Sequence, residues 1–349
     1  MWLAAHGWSF SVSAAVGIAL TGSGAATPAR VVTNDELSLW LDTSDDWIRS
    51  RTGIAARRIA TAEDSLESLS SQAARQALEQ AGWRPDQVDL ILLATSSPED
   101  LFGSAPAVQA ALGADNAVAF DLTAACSGFL FALITAAQYI RSGTYQRVLV
   151  VGADLLSRWV DWQDRRTCVL FGDGAGAVAM EAAPEGRDGL LTMVMRTDGR
   201  RRSCLTMAHQ VTPRILHDQL QAGSGDFHPI AMDGQEVYKF AVQQVPLVLN
   251  QALKQAGITA EQLDWLLLHQ ANERILASVA QRLGIPAAKV LSNLANYGNT
   301  SAATIPLMLH EAVEAQRIRP GHLIASSGFG AGLSWGAALL RWGGQSGAP

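Results

Sequence analysis

Three side chains that could together carry out acyl transfer stand at the ends of apolar segments in separate parts of the chain. Cys126 lies in the segment Thr-Ala-Ala-Cys-Ser-Gly, His269 follows Trp-Leu-Leu-Leu, and Asn299 lies in Tyr-Gly-Asn-Thr-Ser. Because α/β proteins place reactive groups where strands end, all three positions are typical of a functional site. A thiol nucleophile, an imidazole and a neutral amide donor suit attack on a thioester or ester carbonyl.

The surroundings of Cys126 predict an activated nucleophile. This residue stands between a predicted strand at 117–122 and a predicted buried helix that begins near Gly128. The free amides and the dipole of a helix N-terminus stabilise a thiolate, so we expect the pKa of Cys126 to be lowered. The backbone amides of Cys126 and Ala331 are the candidate donors to an oxyanion. For each of the three side chains taken alone, a structural role in a core or turn is the alternative.

An internal repeat explains how groups so far apart in the sequence could meet. Residues 74–95 align without a gap on residues 249–270, with about ten identities in 22 positions. Both copies predict a helix, a glycine cap and a strand. At the same offset of 175 residues, Cys126 falls opposite Ser301, and each is predicted to start a helix. A chance similarity between amphipathic helices followed by leucine-rich strands is the alternative explanation.

Two duplicated halves related by a pseudo-twofold axis would bring equivalent strand ends together, and Cys126 of the first half could then face the imidazole and carboxamide of the second. Glycine-rich segments at 172–176 and 328–332 predict a tight turn in each half. We predict an N-terminal extension at 1–13, a first half at 14–187 and a second half at 188–349. The first core strand is predicted near residues 15–22.

The composition limits the classes of protein that fit. A chain of 349 residues with 48% hydrophobic residues can bury a large core, and its alternating patterns indicate an α/β fold. The net charge is −6 and basic and aromatic residues do not cluster, so we expect no nucleic-acid partner. The three cysteines are scattered, which argues against a disulfide framework or a zinc site. We expect a cytoplasmic protein that needs no metal, no cofactor and no membrane.

Several segments together resemble a known family. The β-ketoacyl-acyl-carrier-protein synthase III family consists of the initiating condensing enzymes of dissociated fatty acid synthesis, and the likeness to it runs from about residue 16 to the end of the chain. The matching segments are 42–48, 51–54, 123–128, 172–176, 269–272, 298–303 and 328–336. Position 331 is alanine, where many members of the family have glycine. This difference should still leave the backbone amide of Ala331 available.

The resemblance implies a thiolase-like fold of two similar α/β halves in five layers, arranged αβαβα, and a homodimer. It also implies a reaction in which Cys126 takes an acyl group, usually acetyl, from acyl-CoA. Malonyl-acyl-carrier protein then loses carbon dioxide, and its enolate attacks the acyl-cysteine to give a 3-oxoacyl-carrier protein. His269 and Asn299 would act as two donors to the developing negative charge.

The resemblance also assigns binding roles residue by residue. Contacts to CoA would come from Thr43, Trp47, Arg51, Arg165 and Asn272. Phe171 would sit beside the nucleophile, and Phe102 would reach the pocket of the partner subunit as a gate on primer size. Lys239 and Arg274 match the docking positions for the acidic carrier protein.

Three other functions remain open at this stage. A thiol hydrolase uses cysteine, histidine and asparagine in the same order, although the papain-type cysteine motif is absent here. A related condensing enzyme with a different primer or acceptor would carry the same three residues. A non-catalytic paralogue that only binds acyl carriers is the third alternative.

Overall fold

A computed structural model describes residues 16–184 and 187–344, so the predicted extension at 1–13 lies outside the described residues. In chain order the strands are β1 (Gly17–Ala26), β2 (Val31–Thr33), β3 (Ala56–Arg58), β4 (Leu90–Ala94), β5 (Val118–Leu122), β6 (Arg147–Asp154), β7 (Gly174–Ala183), β8 (Leu190–Thr197), β9 (Leu205–Thr206), β10 (His209–His217), β11 (Leu220–Phe227), β12 (Ala231–Met232), β13 (Trp265–Leu268), β14 (Leu323–Gly330) and β15 (Ser334–Arg341). The first core strand therefore begins and ends later than predicted.

Helices join and cover these strands. They are α1 (Asn34–Leu37), α2 (Asp45–Thr52), α3 (Leu66–Ala81), α4 (Ala105–Leu112), α5 (Gly128–Arg141), α6 (Gly234–Ala256), α7 (Glu273–Leu283), α8 (Leu294–Tyr297) and α9 (Thr304–Glu314). Within the two described ranges, none of the helices combines the length and apolarity that crossing a bilayer requires.

Two sheets share one strand order. The first runs β1-β7-β6-β4-β5, with β4, β5 and β6 parallel and β1 and β7 antiparallel to their neighbours. The second runs β8-β15-β14-β13, with β13 and β14 parallel and the other pairs antiparallel. A parallel bridge between Leu266 and Val290 stands where β5 lies beside β4 in the first sheet. The second sheet thus repeats the topology of the first.

Three buried clusters show the layering. One joins α3 and α4 to the outer face of the first sheet, and another joins α6 and α7 to the outer face of the second. The central cluster holds α5 and α9 between the two sheets, with Phe129, Leu133, Ile305 and Leu309 among its members. Because α5 and α9 are apolar on most of their surface, they suit a layer covered on both sides. The expected five-layered α/β arrangement is confirmed.

The helix-to-strand repeat is confirmed at its glycine caps. Gly82 ends α3 and Gly257 ends α6, with φ of 69° and 66°, a left-handed conformation that glycine adopts without strain. The first sheet ends at Ala183 and the second begins at Leu190. The division of the chain at 187 and 188 stays a prediction.

The offset between the halves changes before the reactive cysteine. Short 3-10 turns lead into the central helices at Ala125–Ser127 and Ser301–Ala303. Their first residues have matching left-handed φ values of 48° for Ala125 and 51° for Ser301. The equivalence of Cys126 with Ser301 is therefore wrong by one residue, because the segment from the repeated strand (β4 or β13) to this turn is one residue longer in the second half. Ala302 is the structural counterpart of Cys126.

The two glycine-rich segments do not mark equivalent tight turns. Gly174 and Gly176 begin β7, whereas Gly328 and Gly330 lie within β14. A Cβ on Gly176 would lie 2.7 Å from the amide nitrogen of Leu307. The turn predicted at 172–176 is wrong, since Gly176 instead permits close packing of α9 against the first sheet. The turn predicted at 328–332 is confirmed, because Gly332 lies in the short turn Ala331–Leu333 that joins β14 to β15.

Candidate active site

A cavity of about 1450 Å³ has Cys126, His269 and Asn299 in its lining. All three side chains belong to buried residues, at the inner end of a cavity whose other lining residues include exposed arginines and lysine. The first half supplies the sulfur, and the second half supplies the imidazole and the carboxamide. The structure therefore brings together the three groups that the sequence placed in separate segments.

Cys126 lies in the 3-10 turn that precedes α5, and its backbone packs against β14. A Cβ on Gly330 would lie 2.7 Å from the amide nitrogen of Cys126 and 3.0 Å from its Cβ, so only glycine fits there. The Ser301 hydroxyl donates a hydrogen bond to Sγ of Cys126 at 3.4 Å. Gly330 was not among the predicted site residues, although its place in the Gly-Phe-Gly-Ala-Gly segment signalled a close backbone approach.

The resting charge of Cys126 differs from the expectation. Burial raises the pKa of its thiol to about 12, with the hydrogen bond from Ser301 acting in the opposite direction. The predicted lowering of this pKa is therefore wrong, because complete burial between the halves outweighs the favourable position before a helix. The Cys126 thiol is therefore neutral at physiological pH.

His269 follows β13 and is buried. Its Nδ1 lies 2.7 Å from Oγ1 of Thr304, and its ring meets Phe329 edge to face, with centroids 5.2 Å apart. Burial lowers the pKa of His269 to about 3. The imidazole is consequently neutral at physiological pH. Thr304, which it contacts on α9, lies outside the sequence motifs from which the site was predicted.

The carboxamide of Asn299 has a fixed orientation. The backbone N–H of Asn299 donates to the backbone carbonyl of Leu170 at 2.8 Å, and the backbone carbonyl of Asn299 accepts from the N–H of Gly172 at 3.1 Å. Its side-chain Oδ1 accepts a hydrogen bond from the amide of Ser301 at 2.9 Å. Because the oxygen is occupied in this way, Nδ2 is the end of the carboxamide that can donate to a substrate.

Asp154 holds the turn that follows Asn299 and was not among the predicted site residues. This fully buried carboxylate ends β6 and accepts hydrogen bonds from the hydroxyls of Thr95 and Ser97, at 3.1 and 2.9 Å. It also accepts one from the amide of Ala302 at 3.2 Å, which ties the first sheet to the turn before α9. Burial raises its pKa. An aspartate that ends a long apolar run was the signal available in the sequence.

Three of the five predicted CoA contacts lie together around one aromatic ring in the cavity lining. The guanidinium carbons of Arg51 and Arg165 lie 4.6 and 5.1 Å from the ring centroid of Trp47, and all three residues line the cavity. Arg165 also forms a salt bridge with Asp42 at 3.1 Å. A flat aromatic ring flanked by two cations is well suited to stack a planar base and to pair with phosphate.

Asn272 lines the same cavity, but the fold already uses its side chain. Its Oδ1 accepts from the amide of Arg274 as the N-cap of α7, and its Nδ2 donates to the carbonyl of Arg51 at 3.0 Å. A role in holding a substrate arm stays a prediction. In the structure, the hydrogen bonds of the Asn272 side chain link the start of α7 to the end of α2.

The predicted carrier-protein contacts, Lys239 and Arg274, are exposed and line the cavity. Lys239 pairs with Glu236 at 2.8 Å, and a guanidinium nitrogen of Arg274 donates to the carbonyl of Ser50 at 2.7 Å. Phe171 also lines the cavity, and its place directly beside Cys126 stays a prediction. Both basic side chains therefore belong to exposed residues of the cavity lining, and their role in docking a carrier protein stays a prediction.

Three predicted site residues lie outside the cavity lining. Phe102 is fully exposed, at 100%, on the loop before α4. Thr43 precedes α2, and its Oγ1 is buried without a hydrogen-bond partner among the described residues. Ala331 directly follows Gly330, which itself lines the cavity. The structure does not bring Thr43 or Phe102 to the three central groups of the same chain.

A second hollow of about 400 Å³ lies near the nucleophile. It is lined by Leu122, Thr123, Ala124, Phe131, Thr135, Met195, Arg196 and Thr197. Thr123 and Ala124 immediately precede the 3-10 turn that carries Cys126, and Leu122 ends the edge strand β5. The hollow thus opens beside the free edge of the first sheet.

Known proteins share both the sequence and the fold. The family described as 3-oxoacyl-[acyl-carrier-protein (ACP)] synthase III matches residues 120–199, and its C-terminal counterpart matches residues 253–342. A β-ketoacyl-[acyl-carrier-protein] synthase III of Synechococcus sp. strain RCC307 is 65% identical over 330 residues, covering 95% of this chain and 99% of its own.

Two solved structures extend the comparison. The 3-oxoacyl-[acyl-carrier-protein] synthase III of Aquifex aeolicus VF5 is 43% identical with a TM-score of 0.86, over 93% of this chain and 100% of its own. The priming β-ketosynthase of the R1128 polyketide biosynthetic pathway is 35% identical with a TM-score of 0.84, over 93% of this chain and 96% of its own.

The duplicated fold and the cysteine, histidine and asparagine at its centre define a condensing acyltransferase of the thiolase type. Within that class, the chain belongs to the β-ketoacyl-acyl-carrier-protein synthase III family.

Proposed function

We propose that this enzyme condenses an acyl-CoA primer with malonyl-acyl-carrier protein and so initiates fatty acid synthesis. The observation that carries the proposal is the meeting of Cys126, His269 and Asn299 in one buried cavity with basic side chains in its lining. The thiol is a nucleophile, and the two other groups are neutral and can donate without titrating near pH 7. Such a set suits thioester chemistry that generates its own carbanion.

The first step transfers the acyl group to Cys126. Its sulfur attacks the thioester carbonyl of the acyl-CoA, the carbon–sulfur bond to CoA breaks, and CoA leaves with the proton that the thiol gives up. The oxygen of the tetrahedral intermediate needs donors, which the backbone amides of Cys126 and Ala331 are proposed to supply. The close packing of Gly330 against Cys126 supports this assignment, because it brings the start of the Ala331 segment to the nucleophile.

The second step forms the carbon–carbon bond. Malonyl-acyl-carrier protein loses carbon dioxide, and the electron pair of the broken bond becomes an enolate on the thioester. That enolate attacks the acyl-cysteine carbonyl, and the sulfur of Cys126 leaves and regains a proton. No strong base is needed, since decarboxylation itself provides the carbanion. His269 and Asn299 are proposed to donate to the enolate oxygen from fixed positions.

The substrate contacts follow the cavity outward. The ring of Trp47 with its two flanking arginines is proposed to hold the adenine and phosphates of CoA. Lys239 and Arg274 are proposed to meet the acidic carrier protein, because a chain of net charge −6 can attract an acidic partner only through a local basic surface. Acetyl-CoA is the proposed primer, in keeping with a neutral asparagine at position 299.

A homodimer is proposed from the free edge of the first sheet. Strand β5 is an edge strand, and it exposes Val118 and Phe120 at 48% and 37%. Pairing of two such edges would cover these side chains. Phe102 of one subunit would then reach toward the hollow beside Cys126 in the other and limit primer length. Sedimentation at equilibrium tests this, and a monomer at micromolar concentration would exclude it.

The test of the function uses the purified chain with acetyl-CoA and then malonyl-acyl-carrier protein. Mass spectrometry should find an acetyl adduct on Cys126 after the first addition. Carbon dioxide and 3-oxobutyryl-carrier protein should appear after the second. Hydrolysis of both thioesters without a new carbon–carbon bond would show a thiol hydrolase instead. Adducts only from longer or branched acyl-CoA would show a related condensing enzyme with another primer, and an absence of adducts would show a non-catalytic acyl-carrier binder.

A further inference from the structure

The side chain of Thr304 contacts the His269 ring, and Thr304 does not belong to the lining of the cavity that His269 lines. Thr304 is the first residue of α9 and is 2% exposed. Its Oγ1 lies 2.7 Å from Nδ1 of His269 and 3.1 Å from the carbonyl oxygen of Ser301. No other hydrogen bond to the His269 ring is formed within the described part of the chain, and the ring is otherwise packed edge to face on Phe329.

One hydroxyl proton cannot serve both neighbours at once, so the distances indicate where it lies. Hydrogen bonds donated by a hydroxyl to oxygen span about 2.5–3.0 Å, whereas those donated by N–H to oxygen span about 2.7–3.2 Å and most often about 2.9–3.0 Å. The 3.1 Å contact with the Ser301 carbonyl is longer than the range for a hydroxyl donor, and the 2.7 Å contact lies at the lower limit of the range for a donor on Nδ1. Both distances favour a Thr304 hydroxyl that donates to an unprotonated Nδ1.

We propose that Thr304 is a positioning residue that holds His269 in the tautomer with its proton on Nε2. This inference rests on the proposed function, since it explains how a neutral imidazole becomes a hydrogen-bond donor toward the cavity. A neutral histidine has one donor and one acceptor nitrogen, so a donor that occupies Nδ1 leaves the proton on Nε2. Nε2 of His269 then donates a hydrogen bond to the enolate oxygen in the condensation step, and His269 does not act as a base for the Cys126 thiol.

The position of Thr304 allows a clean substitution. The N-cap of α9 is Ala303, and no side chain caps this helix, so the Thr304 hydroxyl is not required to start it. Valine has the same shape and lacks only the hydroxyl. Thr304→Val therefore removes the donor to Nδ1, and Thr304→Ser keeps it. Thr167→Val is a matched control, because the hydroxyl of this buried threonine contacts, among the described residues, only the backbone carbonyl of Asp164, at 3.3 Å.

The test combines spectroscopy with the two half-reactions. Nitrogen-15 NMR of histidine-labelled protein should show His269 neutral with its proton on Nε2 in the wild type and in Thr304→Ser. Thr304→Val should slow malonyl-carrier decarboxylation by about 10-fold or more, while acetylation of Cys126 changes by less than about threefold. Thr304→Ser and Thr167→Val should keep both rates near the wild-type values.

Two results would overturn the inference. A wild-type proton on Nδ1 would mean that Thr304 accepts instead of donating. Equal losses in both half-reactions of Thr304→Val, with the tautomer unchanged, would indicate a general packing role. The NMR signal requires no substrate, so its outcome is separate from any failure of the condensation reaction itself.

Discussion

The hydroxyl of Ser301 lies 3.4 Å from Sγ of Cys126, so the second half of the chain provides a hydrogen bond to the nucleophile of the first. This contact opposes the effect of burial, because a donor to sulfur stabilises the thiolate and lowers the pKa. The reactivity of Cys126 is therefore a property of both halves together.

Replacing Ser301 with alanine should raise the pKa of Cys126 further and slow its acetylation. Each unit of pKa reduces the thiolate fraction about tenfold at neutral pH. The pH dependence of iodoacetamide alkylation of Cys126 measures this effect. Ser326→Ala is a suitable control, because the buried Oγ of Ser326 has no hydrogen-bond partner among the described residues. Unchanged alkylation of Ser301→Ala would show that the contact does not influence the thiol.

Replacing Gly330 with alanine should disturb the nucleophile by contact alone. The new Cβ would approach the amide nitrogen of Cys126 to 2.7 Å, which requires the backbone to shift. Overpacking of this kind costs about 1–3 kcal/mol of stability, and a displaced sulfur loses its alignment with the thioester. Urea unfolding and the rate of adduct formation measure the two effects. Gly199→Ala is the control, since a Cβ there meets nothing within 4 Å, and wild-type behaviour of Gly330→Ala would contradict this packing.

Replacing Arg165 with alanine should raise KM for acetyl-CoA and leave kcat with malonyl-carrier protein nearly unchanged. The loss of one cation beside Trp47 corresponds to about 0.5–2 kcal/mol, or about 2- to 30-fold in KM. Arg317→Ala provides a matched comparison, because Arg317 covers Trp265 at 4.9 Å in the same way but neither residue lines the cavity. Steady-state kinetics of the wild type and both variants measures these KM values. An unchanged KM for acetyl-CoA in Arg165→Ala would exclude a CoA contact at Arg165.

The depressed pKa of His269 makes a prediction about stability. Burial lowers this pKa from 6.5 to about 3, so the native state keeps the imidazole neutral while the unfolded chain takes up a proton below about pH 6.5. The free energy of unfolding should therefore decrease as the pH falls from 6.5 toward 3, and less steeply in His269→Gln. Urea unfolding over that pH range measures the slopes. Identical slopes would mean that His269 titrates normally in the folded protein.

The sequence predicted the repeat and the three central residues because these depend on local patterns. The helices that end at Gly82 and Gly257 carry the same apolar spacing and the same cap, so their equivalence can be read without coordinates. His269 and Asn299 could be placed at strand ends or turns for the same reason. Local patterns also gave the wrong partner for Cys126, since the segment between the repeated strand and the turn before the central helix differs in length by one residue between the two halves.

What the sequence could not give depends on contacts between layers. The pKa of Cys126 is raised because β14 and the turn before α9 pack against it and bury it, and a position before a helix says nothing about that burial. Thr304 lies 35 residues from the imidazole it contacts, and Asp154 lies 148 residues from the Ala302 amide that it holds. Only the folded arrangement shows which polar side chains support the reactive groups.

The division of labour between the two halves is tested most directly by measuring both half-reactions in Cys126→Ala, His269→Ala and Asn299→Asp. Cys126→Ala should form no acetyl adduct. His269→Ala and Asn299→Asp should still form the adduct within a few-fold of the wild-type rate, but should lose malonyl decarboxylation by about 10²- to 10³-fold. Adduct formation that fails equally in all three variants, or decarboxylation that survives without the imidazole and the carboxamide, would contradict the account of this site.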